Sequence, residues 1–432
     1  MKRISVVGLG YIGLPTAIQA ASIGYDVYGY DINQEKINRI NKGDPVIFEP
    51  ELSERLWKVL KTGNFKVFNE LQYADCFIIT VPTPFKDDKA ADLRHVFHAA
   101  ESIAKRLMPG NLVILESTVP VGTTEKLALF LEESSGLKLS VDFFVAYCPE
   151  RVLPGHIFRE LIENDRVIGG MCQHACERAF SFYTKFVRGV IHVTDDKTAE
   201  MVKLVENSSR DVQIAFANQI ATMCCRAGID PYLVIELANK HPRVKILAPT
   251  CGVGGHCVAV DPWFLIESFP EDTELLRAAR AINDNKPQHI LSRTISKAEG
   301  LRMFGITKPK ILALGLTFKP DVDDLRESPA LQIAQGLATQ KDLIEFHAYD
   351  HNVSKQDAAQ RGIELINDVW EGIAWADIVL VLVKHKEFTL MREDTFDNKV
   401  LIDTCGLMHS IHQKQSQAFL DGTTKTNTNL WG

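Results

Sequence analysis

The sequence lacks any apolar run long enough to cross a bilayer, although it extends over 432 residues. Its amino terminus also lacks the apolar segment of a secretory signal peptide, because Met1-Lys2-Arg3 is followed by only a short β-branched run. From these two absences we expect a cytoplasmic protein with no membrane partner.

An excess of positive charge is absent as well. Lysine and arginine together number 48 against 55 aspartate and glutamate residues, which gives a net charge of -7 without a long block of like charge. A protein that holds a phosphate backbone needs a basic surface. We therefore expect no nucleic-acid partner, whereas a small anionic ligand requires only a few local cations.

Cysteine is too sparse and too irregularly spaced for a disulfide framework. There are nine cysteines, an odd number, which fits a reducing compartment. Neither Cys172 with Cys176 nor Cys224 with Cys225 has a second ligand pair at zinc-site spacing. The sequence therefore predicts no metal.

A repeated α/β rhythm is the main feature that the sequence does contain. The length and the hydrophobic fraction of 46% predict two or three domains. Short apolar runs between amphipathic stretches predict buried parallel strands at residues 4–7, 26–30, 76–81 and 112–115. The same order recurs at residues 310–315, 345–349, 378–383 and 400–402. Asp31 and Asp350 each end the second strand of their half, so we predict two Rossmann-like, doubly wound sheets, the second a degenerate copy of the first.

Residues 195–228 are expected to form one long helix between the two sheets. Apolar side chains recur there at helical spacing, and Gly228 is typical of a helix end. The side chains that set this periodicity are Val202, Val205, Val212 and Phe216.

A glycine fingerprint, Gly8-x-Gly10-x-x-Gly13, follows the first predicted strand and opens a helix. Glycines at these positions let the backbone approach a pyrophosphate at the helix amino terminus. Asp31, at the end of the next strand, is placed to accept hydrogen bonds from an adenosine ribose and to repel a 2′-phosphate. The pattern predicts NAD rather than NADP, and the alternative is a glycine turn kept for packing alone.

Three polar side chains share one stripe of the long helix. Lys203, Asn207 and Arg210 stand at i, i+4 and i+7, offset from the apolar stripe. They either converge on a ligand or form an ordinary solvated face.

Cys257 is the candidate nucleophile, since it follows a run of glycines and His256. Asp261-Pro262, just beyond it, predicts a helix N-cap followed by proline in the first turn. A thiol near a helix start and a cation has more thiolate character. Beside a nicotinamide, such a thiol suggests oxidation through a covalent intermediate. The alternative is a small buried side chain, which is the commonest fate of a cysteine outside a disulfide.

Other candidates follow predicted strands or lie in a basic loop. Thr118 and Glu150 come where open α/β sheets place their ligands, although each also fits a capping role. His241-Pro242-Arg243 is either a ligand loop or an exposed turn.

Taken together, these segments resemble the nucleotide-sugar 6-dehydrogenases, which oxidise the C6 alcohol of a UDP-sugar to a carboxylate with NAD. The resemblance covers nearly the whole chain, through YCPERVLPG at 147–155, HPRV at 241–244 and the stretch from Gly252 to Phe264. These blocks are most similar to the branch that acts on UDP-N-acetyl-D-mannosamine and supplies surface polysaccharides. The resemblance implies a homodimer of two Rossmann-like domains joined by a long helix and a helical dimerisation segment. The boundaries expected are 1–193, 194–300 and 301–432.

The resemblance also implies residue roles. Cys257 matches the nucleophile, Lys203 and Asn207 the groups that stabilise the C6 oxyanion, and Glu150 the general base of thioester hydrolysis. Thr118 and Asp261 match residues that orient the reacting water or alcohol. Positions that match UDP-sugar contacts are Arg151, Val152, Lys203, Asn207, Arg210, His241, Arg243, Gly254, Phe318 and Lys319, with Arg243 reaching the neighbouring subunit. Positions that match cofactor contacts are Gly8, Gly10, Tyr11, Ile12, Gly13, Asp31, Thr83, Thr118 and Arg326.

Departures from the family's glucose branch bear on the substrate. That branch carries Phe-Leu-x-Glu where this chain has residues 151–154, and Phe-Pro-Lys where it has residues 258–260, so UDP-glucose is not expected. Cys405 replaces a basic residue near the ligand, which leaves a contact from that loop open. A UDP-N-acetylglucosamine 6-dehydrogenase is the nearest alternative. A single-step hydroxyacid dehydrogenase and a non-catalytic nucleotide-binding regulator are more distant ones.

Overall fold

The computed structural model describes residues 1–47, 49–255 and 257–414. The chain divides into two compact units. The first unit comprises Met1–Asn207 with Val260–Thr273, and the second comprises Ser208–Ala259 with the chain from Glu274 onward. The domain boundaries expected above stay a prediction.

The elements alternate between strands and helices in both halves of the chain. The first part contains β1 (Arg3–Val7), α1 (Gly13–Ser22), β2 (Asp26–Tyr30), α2 (Gln34–Asn41), α3 (Leu52–Thr62), β3 (Phe65–Phe68), β4 (Cys76–Ile79), α4 (Arg94–Ala104), β5 (Asn111–Leu115), α5 (Thr123–Ser135), β6 (Phe143–Tyr147), α6 (Ile157–Glu163), β7 (Arg166–Gly170), α7 (Gln173–Tyr183) and β8 (Ile191–Asp195). The remainder contains α8 (Asp196–Ala227), α9 (Pro231–Ala238), α10 (Asp261–Ser268), α11 (Glu274–Met303), β9 (Lys310–Leu314), α12 (Pro329–Ala338), β10 (Glu345–Tyr349), α13 (Lys355–Gln360), α14 (Val369–Trp375), β11 (Ile378–Val381) and β12 (Val400–Asp403).

The first unit is built on an eight-stranded sheet in the order β3-β2-β1-β4-β5-β6-β7-β8. All neighbours are parallel except β6 and β7. Central strands β4, β5 and β6 are buried along their whole length, which is why they appear in the sequence as continuous apolar runs. Edge strand β3 alternates buried and exposed residues, as a half-covered strand does. The predicted doubly wound fold is confirmed.

Strand order reverses at β1, because β2 pairs with one of its edges and β4 with the other. Loops that leave the carboxyl ends of strands at such a switch point diverge and leave a crevice for ligands. The loops after β1, β4, β5 and β6 all leave from this edge of the sheet, and they carry the fingerprint glycines, Thr83, Thr118 and Glu150.

The second unit repeats part of this design with a four-stranded parallel sheet, β10-β9-β11-β12. Its strand order corresponds to β2-β1-β4-β5. The correspondence extends to hydrogen bonds at the start of the central strand: Arg3 N donates to Asp75 Oδ2 at 3.0 Å, and Lys310 N donates to Asp377 Oδ2 at 2.8 Å. The predicted degenerate copy is therefore confirmed.

The predicted long helix is α8, with 32 residues, and it ends one residue before Gly228. Its apolar periodicity does not mark a wholly buried face, however. Val205 and Phe216 keep 49% and 50% of their surface exposed. The spacing predicted a helix correctly, but half of the stripe lies outside the core of the single chain.

Within the described ranges, no helix combines the length and the apolarity required to cross a membrane.

Candidate active site

The loop between β1 and α1 is too tight for any side chain at its first and last glycines. Gly8 has φ +93°, and a Cβ on Gly13 would lie 1.9 Å from Gly8 O and 2.4 Å from Thr80 Oγ1. A Cβ on Gly10, in contrast, would meet nothing within 4 Å. The loop is therefore closed towards the sheet and open at Gly10, which is the shape that a pyrophosphate requires at a helix amino terminus.

Asp31 is buried beside this loop and holds it in place. Its Oδ2 accepts hydrogen bonds from Leu9 N at 3.0 Å and from Lys36 Nζ at 2.8 Å, and its Oδ1 accepts one from Asn33 N at 3.0 Å. A carboxylate has about four acceptor positions, so about one remains for a ribose hydroxyl. The residues present therefore fit NAD.

Tyr11 and Ile12 precede the first turn of α1, Ile12 at the N-cap position. Thr83, after β4, donates from Oγ1 to the main-chain oxygen of Thr118, after β5, at 2.6 Å. This hydrogen bond ties together two loops in which sequence analysis placed cofactor contacts.

Glu150 and Lys203 meet inside the first unit. Lys203 Nζ donates to the main-chain oxygen of Glu150 at 2.7 Å. Lys203 is only 8% exposed, so the alternative of a solvated helical face is wrong for this residue. The carboxylate of Glu150 is also buried, and it accepts from Arg151 N at 2.6 Å and from Arg166 Nη2 at 3.4 Å.

Asn207 and Asp261 form a second pair beside Lys203, since Asn207 Nδ2 donates to Asp261 Oδ2 at 2.5 Å. Burial raises the pKa of Asp261 to about 6, although Lys203 and the Asn207 hydrogen bond oppose the shift. Asp261 was expected to cap α10, and this is wrong: the N-cap is Val260, and Asp261 is the first helical residue. Its carboxylate bonds to Asn207 instead of to backbone amides, so it faces the polar cluster rather than the helix end.

The segment from Arg151 to Gly155, which sequence analysis linked to the substrate, is held by three glutamates. Arg151 N donates to Glu150 Oε1 at 2.6 Å, Leu153 N to Glu160 Oε2 at 2.7 Å, and Gly155 N to Glu49 Oε2 at 2.7 Å. Val152 lies between the first two of these anchors. Sequence analysis missed Glu49 and Glu160, because neither belongs to a motif and Glu49 is 106 residues away.

Arg151 itself is engaged by a neighbouring acid. Its guanidinium forms an ion pair with Glu206 on α8 at 2.6 Å and donates to Asp165 O at 3.0 Å. The first unit thus contains both features that the sequence predicts near a sugar: the guanidinium of Arg151 and the segment from Arg151 to Gly155.

In the second unit, the glycine run before Cys257 packs against the loop that follows β9. A Cβ on Gly254 would lie 2.3 Å from Glu327 O, and one on Gly255 would lie 2.8 Å from the Phe318 ring. These glycines are therefore required for close packing, and they bring Phe318 beside the cysteine loop. Cys257 is exposed, so the alternative of a small buried side chain is wrong. His256 lies outside the described residues.

The other predicted ligand residues of the second unit lie on its surface. Lys319 Nζ stands 5.7 Å from the Phe318 ring, and Arg326 forms an ion pair with Asp324 at 2.6 Å. Arg210 is exposed on α8, and His241 and Arg243 are exposed on the loop after α9. Cys405 is partly buried, and its thiol cannot supply the positive charge of the basic residue that it replaces.

Asp350 corresponds to Asp31, but a histidine covers it. Leu316 N donates to Asp350 Oδ2 at 2.7 Å, and buried His385 contacts the same oxygen through Nε2 at 3.1 Å. His385 Nδ1 accepts from Asp321 N at 3.0 Å, which engages both ring nitrogens. Although Asp321, His351 and His385 lie close together, His385 is thus committed to Asp350 rather than to a metal. The second unit also lacks the fingerprint's later glycines, so it cannot bind a dinucleotide in the manner of the first.

Comparisons with known proteins decide which family combines these two nucleotide folds. Three family models match in succession: the NAD binding domain of the UDP-glucose/GDP-mannose dehydrogenase family at residues 2–187, its central domain at 197–285 and its UDP binding domain at 312–410. The chain belongs to the UDP-glucose/GDP-mannose dehydrogenase family. The resemblance stated from the motifs is confirmed.

Relatives with two different names are similarly close to this chain. An NDP-N-acetyl-D-galactosaminuronic acid dehydrogenase from Ralstonia nicotianae is 46% identical over 94% of this chain and 96% of its own length. A UDP-N-acetyl-D-mannosamine dehydrogenase from Campylobacter jejuni is also 46% identical, over 91% and 98%. The solved UDP-D-ManNAc dehydrogenase from Pyrococcus horikoshii is 41% identical, with a TM-score of 0.86 over 94% of this chain and 96% of that one.

Family membership across all three domains makes the protein an NAD-dependent UDP-sugar dehydrogenase. The glycine loop and Asp31 therefore belong to the domain that binds NAD. The sheet of β9 to β12 belongs to the domain that binds UDP, which agrees with its incomplete glycine fingerprint.

Proposed function

We propose that the protein oxidises C6 of UDP-N-acetyl-D-mannosamine to a carboxylate, producing UDP-N-acetyl-D-mannosaminuronate for a bacterial surface polysaccharide. The observation that carries the proposal is the cluster of buried Lys203, Asp261 and Glu150 with partly buried Asn207. It combines hydrogen-bond donors, a carboxyl with a raised pKa and a second carboxylate, which are the groups that an alcohol oxidation followed by a hydrolysis requires.

The first step converts the C6 alcohol into an aldehyde. The loop from Gly8 to Gly13 and Asp31 would hold NAD, which would supply the hydride acceptor, with a separate NAD molecule for each of the two oxidations. The hydroxyl proton passes to a water that Lys203 holds, or to the neutral amine of Lys203 itself, which becomes a charged donor once it has accepted the proton. Lys203 and Asn207 donate hydrogen bonds to the C6 oxygen as its charge grows, which stabilises the transition state.

The second part of the reaction is covalent. The thiol of Cys257 adds to the aldehyde carbon, forming a C–S bond and a thiohemiacetal. Loss of a hydride and a proton from this adduct leaves a thioester. Glu150 then takes a proton from a water molecule that attacks the thioester carbon, the C–S bond breaks, and the products are the carboxylate and the thiol. Thr118 and Asp261 orient the alcohol and later the water.

The choice of the mannosamine sugar is supported by the segment Val152-Leu153-Pro154 and by the relatives of that name. An NDP-N-acetyl-D-galactosamine substrate is the second candidate, because a relative of equal identity carries that activity in its name. UDP-N-acetylglucosamine is the third. The ordered segment from Arg151 to Gly155 supports an N-acetylated sugar over glucose, since it departs from the glucose branch.

We also propose that the protein acts as a homodimer through α8. Two large apolar side chains of that helix, Val205 and Phe216, are half exposed in the single chain. A partner helix would remove this surface from water, which is favourable by about 25 cal/mol per Å² of apolar area.

The proposal is tested by incubating the protein with NAD and a panel of UDP-sugars and by counting NADH per sugar. Two NADH and a uronate from UDP-N-acetyl-D-mannosamine are expected. One NADH per substrate would indicate a single-step dehydrogenase, and binding without turnover would indicate a regulator. Cys257→Ser should abolish uronate formation, whereas the matched control Cys172→Ser should leave it intact. Normal turnover by Cys257→Ser would contradict the mechanism.

A further inference from the structure

A buried guanidinium lies between two carboxylates in the first unit. Arg166, at the start of β7, places Nη1 at 3.4 Å from Glu116 Oε1 and Nη2 at 3.4 Å from Glu150 Oε2. Glu116, Arg166 and Glu150 are 2%, 5% and 8% exposed. At such burial neither carboxylate is screened by water, so each one feels the charge of the shared arginine strongly. Glu116, Arg166 and Glu150 thus form one buried cluster of charged groups.

Only one oxygen of the Glu116 carboxylate has hydrogen-bond partners among the described residues. Tyr183 donates its hydroxyl hydrogen to Glu116 Oε1 at 2.6 Å, and the Arg166 guanidinium stacks over the Tyr183 ring at 4.6 Å. Glu116 Oε2 is buried and has no hydrogen-bond partner among the described residues. An unpartnered buried oxygen is costly in a charged carboxylate and much less so when it carries a proton. The site therefore favours the uptake of a proton by Glu116.

We infer that Arg166 positions Glu150 for its role as general base and that Glu116 sets how much of the arginine's charge acts on Glu150. The inference rests on the role that the proposed function gives Glu150. When Glu116 is protonated, Arg166 pairs with Glu150 alone and weakens it as a base. When Glu116 is charged, it competes for Arg166 and leaves Glu150 more basic.

The surroundings of Glu116 make it a group that changes charge near neutral pH. Burial raises its pKa to about 7, Arg166 opposes the shift and Glu150 adds to it. The other titratable groups that face Glu116 stay neutral there. Burial raises the pKa of Cys148 to about 11, and it also raises the pKa values of Cys76, Tyr147 and Tyr183.

This arrangement predicts a pH step in one part of the reaction only. As pH rises through about 7, Glu116 gains its charge, and thioester hydrolysis should accelerate by about threefold because the base becomes stronger. The two hydride transfers should show no such step, because Glu150 takes no part in them. Glu116→Gln has the shape of the protonated residue, so the step near pH 7 should be absent from hydrolysis in that variant.

The experiment compares the parent enzyme with Glu116→Gln, Arg166→Lys and Arg166→Met by rapid mixing with NAD and the UDP-sugar that the panel identifies. The NADH burst reports hydride transfer, and the later steady rate reports hydrolysis. A general base contributes about 100-fold or more. Arg166→Met removes the group that holds the Glu150 carboxylate in place, and this loss should outweigh the gain in basicity, so hydrolysis should slow by roughly tenfold while the burst rate is unchanged. Arg166→Lys keeps the charge and should recover part of the loss, which a purely structural role would not explain.

Two outcomes are decisive, and they separate this inference from the proposed function. If Glu150→Gln hydrolyses the thioester normally, the proposed role of Glu150 is wrong. If Glu150→Gln accumulates thioester while Glu116→Gln and Arg166→Lys follow the parent in rate and pH dependence, only the inference is wrong. Because Glu116→Gln conserves shape, it keeps the test decisive even if the arginine variants do not fold, which thermal unfolding would reveal.

Discussion

Lys203 donates a hydrogen bond to the main-chain oxygen of Glu150 at 2.7 Å, across 53 positions of sequence. This bond places the ammonium of a buried lysine on the main chain of the residue whose carboxylate we propose as the hydrolytic base. It also explains why a charged residue tolerates a buried position on α8, since its donors find an oxygen acceptor there and Asp261 balances its charge.

Removing this lysine should affect the first oxidation most. In Lys203→Met the C6 oxygen loses a charged donor, and the loss of one such donor typically slows the chemical step by about a hundredfold or more. We expect a slow NADH burst in rapid mixing and little change in the affinity for NAD. Lys197→Met, at an exposed position on the same helix where the lysine pairs with Glu125, is the control. An equal loss in both variants would contradict the role of Lys203.

Asp261 should make stability depend on pH in a predictable direction. Burial raises its pKa to about 6 in the folded protein, whereas in the unfolded chain it is about 3.9. The folded state therefore binds the proton more tightly, so ionisation of Asp261 destabilises the fold above pH 6, and the cost is relieved as pH falls towards 4. In Asp261→Asn this dependence is absent.

The free energy of unfolding, measured in urea, provides the test. Relative to Asp261→Asn, the parent should gain about 2 kcal/mol of stability between pH 7.5 and pH 4.5. Asp272→Asn, an exposed position in the same unit, controls for the change in overall charge. A difference between the parent and Asp261→Asn that stays constant with pH would show that Asp261 does not hold a raised pKa.

Glu49 should control substrate affinity without touching the reaction. Its two oxygens accept from Gly155 N at 2.7 Å and from Ile157 N at 2.8 Å. In Glu49→Gln one buried amide loses its acceptor, at a cost of about 1–3 kcal/mol, so the segment from Arg151 to Gly155 loosens. We expect KM for the UDP-sugar to rise roughly tenfold while the dissociation constant of NAD is unchanged. Glu51→Gln, at an exposed position, is the matched control, and an equal rise in both variants would contradict the assignment.

The proposed dimer is tested on α8. Phe216→Glu places a charge on the half-exposed apolar stripe, and a buried unpaired charge at an interface is strongly unfavourable. We expect sedimentation to show monomers for this variant. Trp57→Glu removes an aromatic side chain from α3 that is 58% exposed, against 50% for Phe216, and should leave the assembly intact. A dimer that survives in Phe216→Glu would place the interface elsewhere.

Several features of the fold could be predicted because their signals are local. The second strand, predicted at residues 26–30, is β2 without a shift, and the helix expected from 195 to 228 is α8 within a residue of each end. Strand β4 is shorter than expected, because residues 80 and 81 already belong to the loop that leaves the sheet. The apolar run continues to residue 81, but residue pairing with the neighbouring strands stops at residue 79. Where a strand ends depends on those neighbours and not on the apolar residues alone.

The sequence by itself determined the tight glycine loop, the alternation of strands and helices and the second, incomplete nucleotide fold. Those features depend on backbone conformation and on hydrophobic period, both of which a short stretch of residues specifies. Only the tertiary structure decided that Lys203 is buried against Glu150, that Asp261 faces Asn207 instead of capping α10, and that Arg166 stands between Glu116 and Glu150. Each of these contacts joins residues from different elements, and their energies arise from burial and charge that no local pattern encodes.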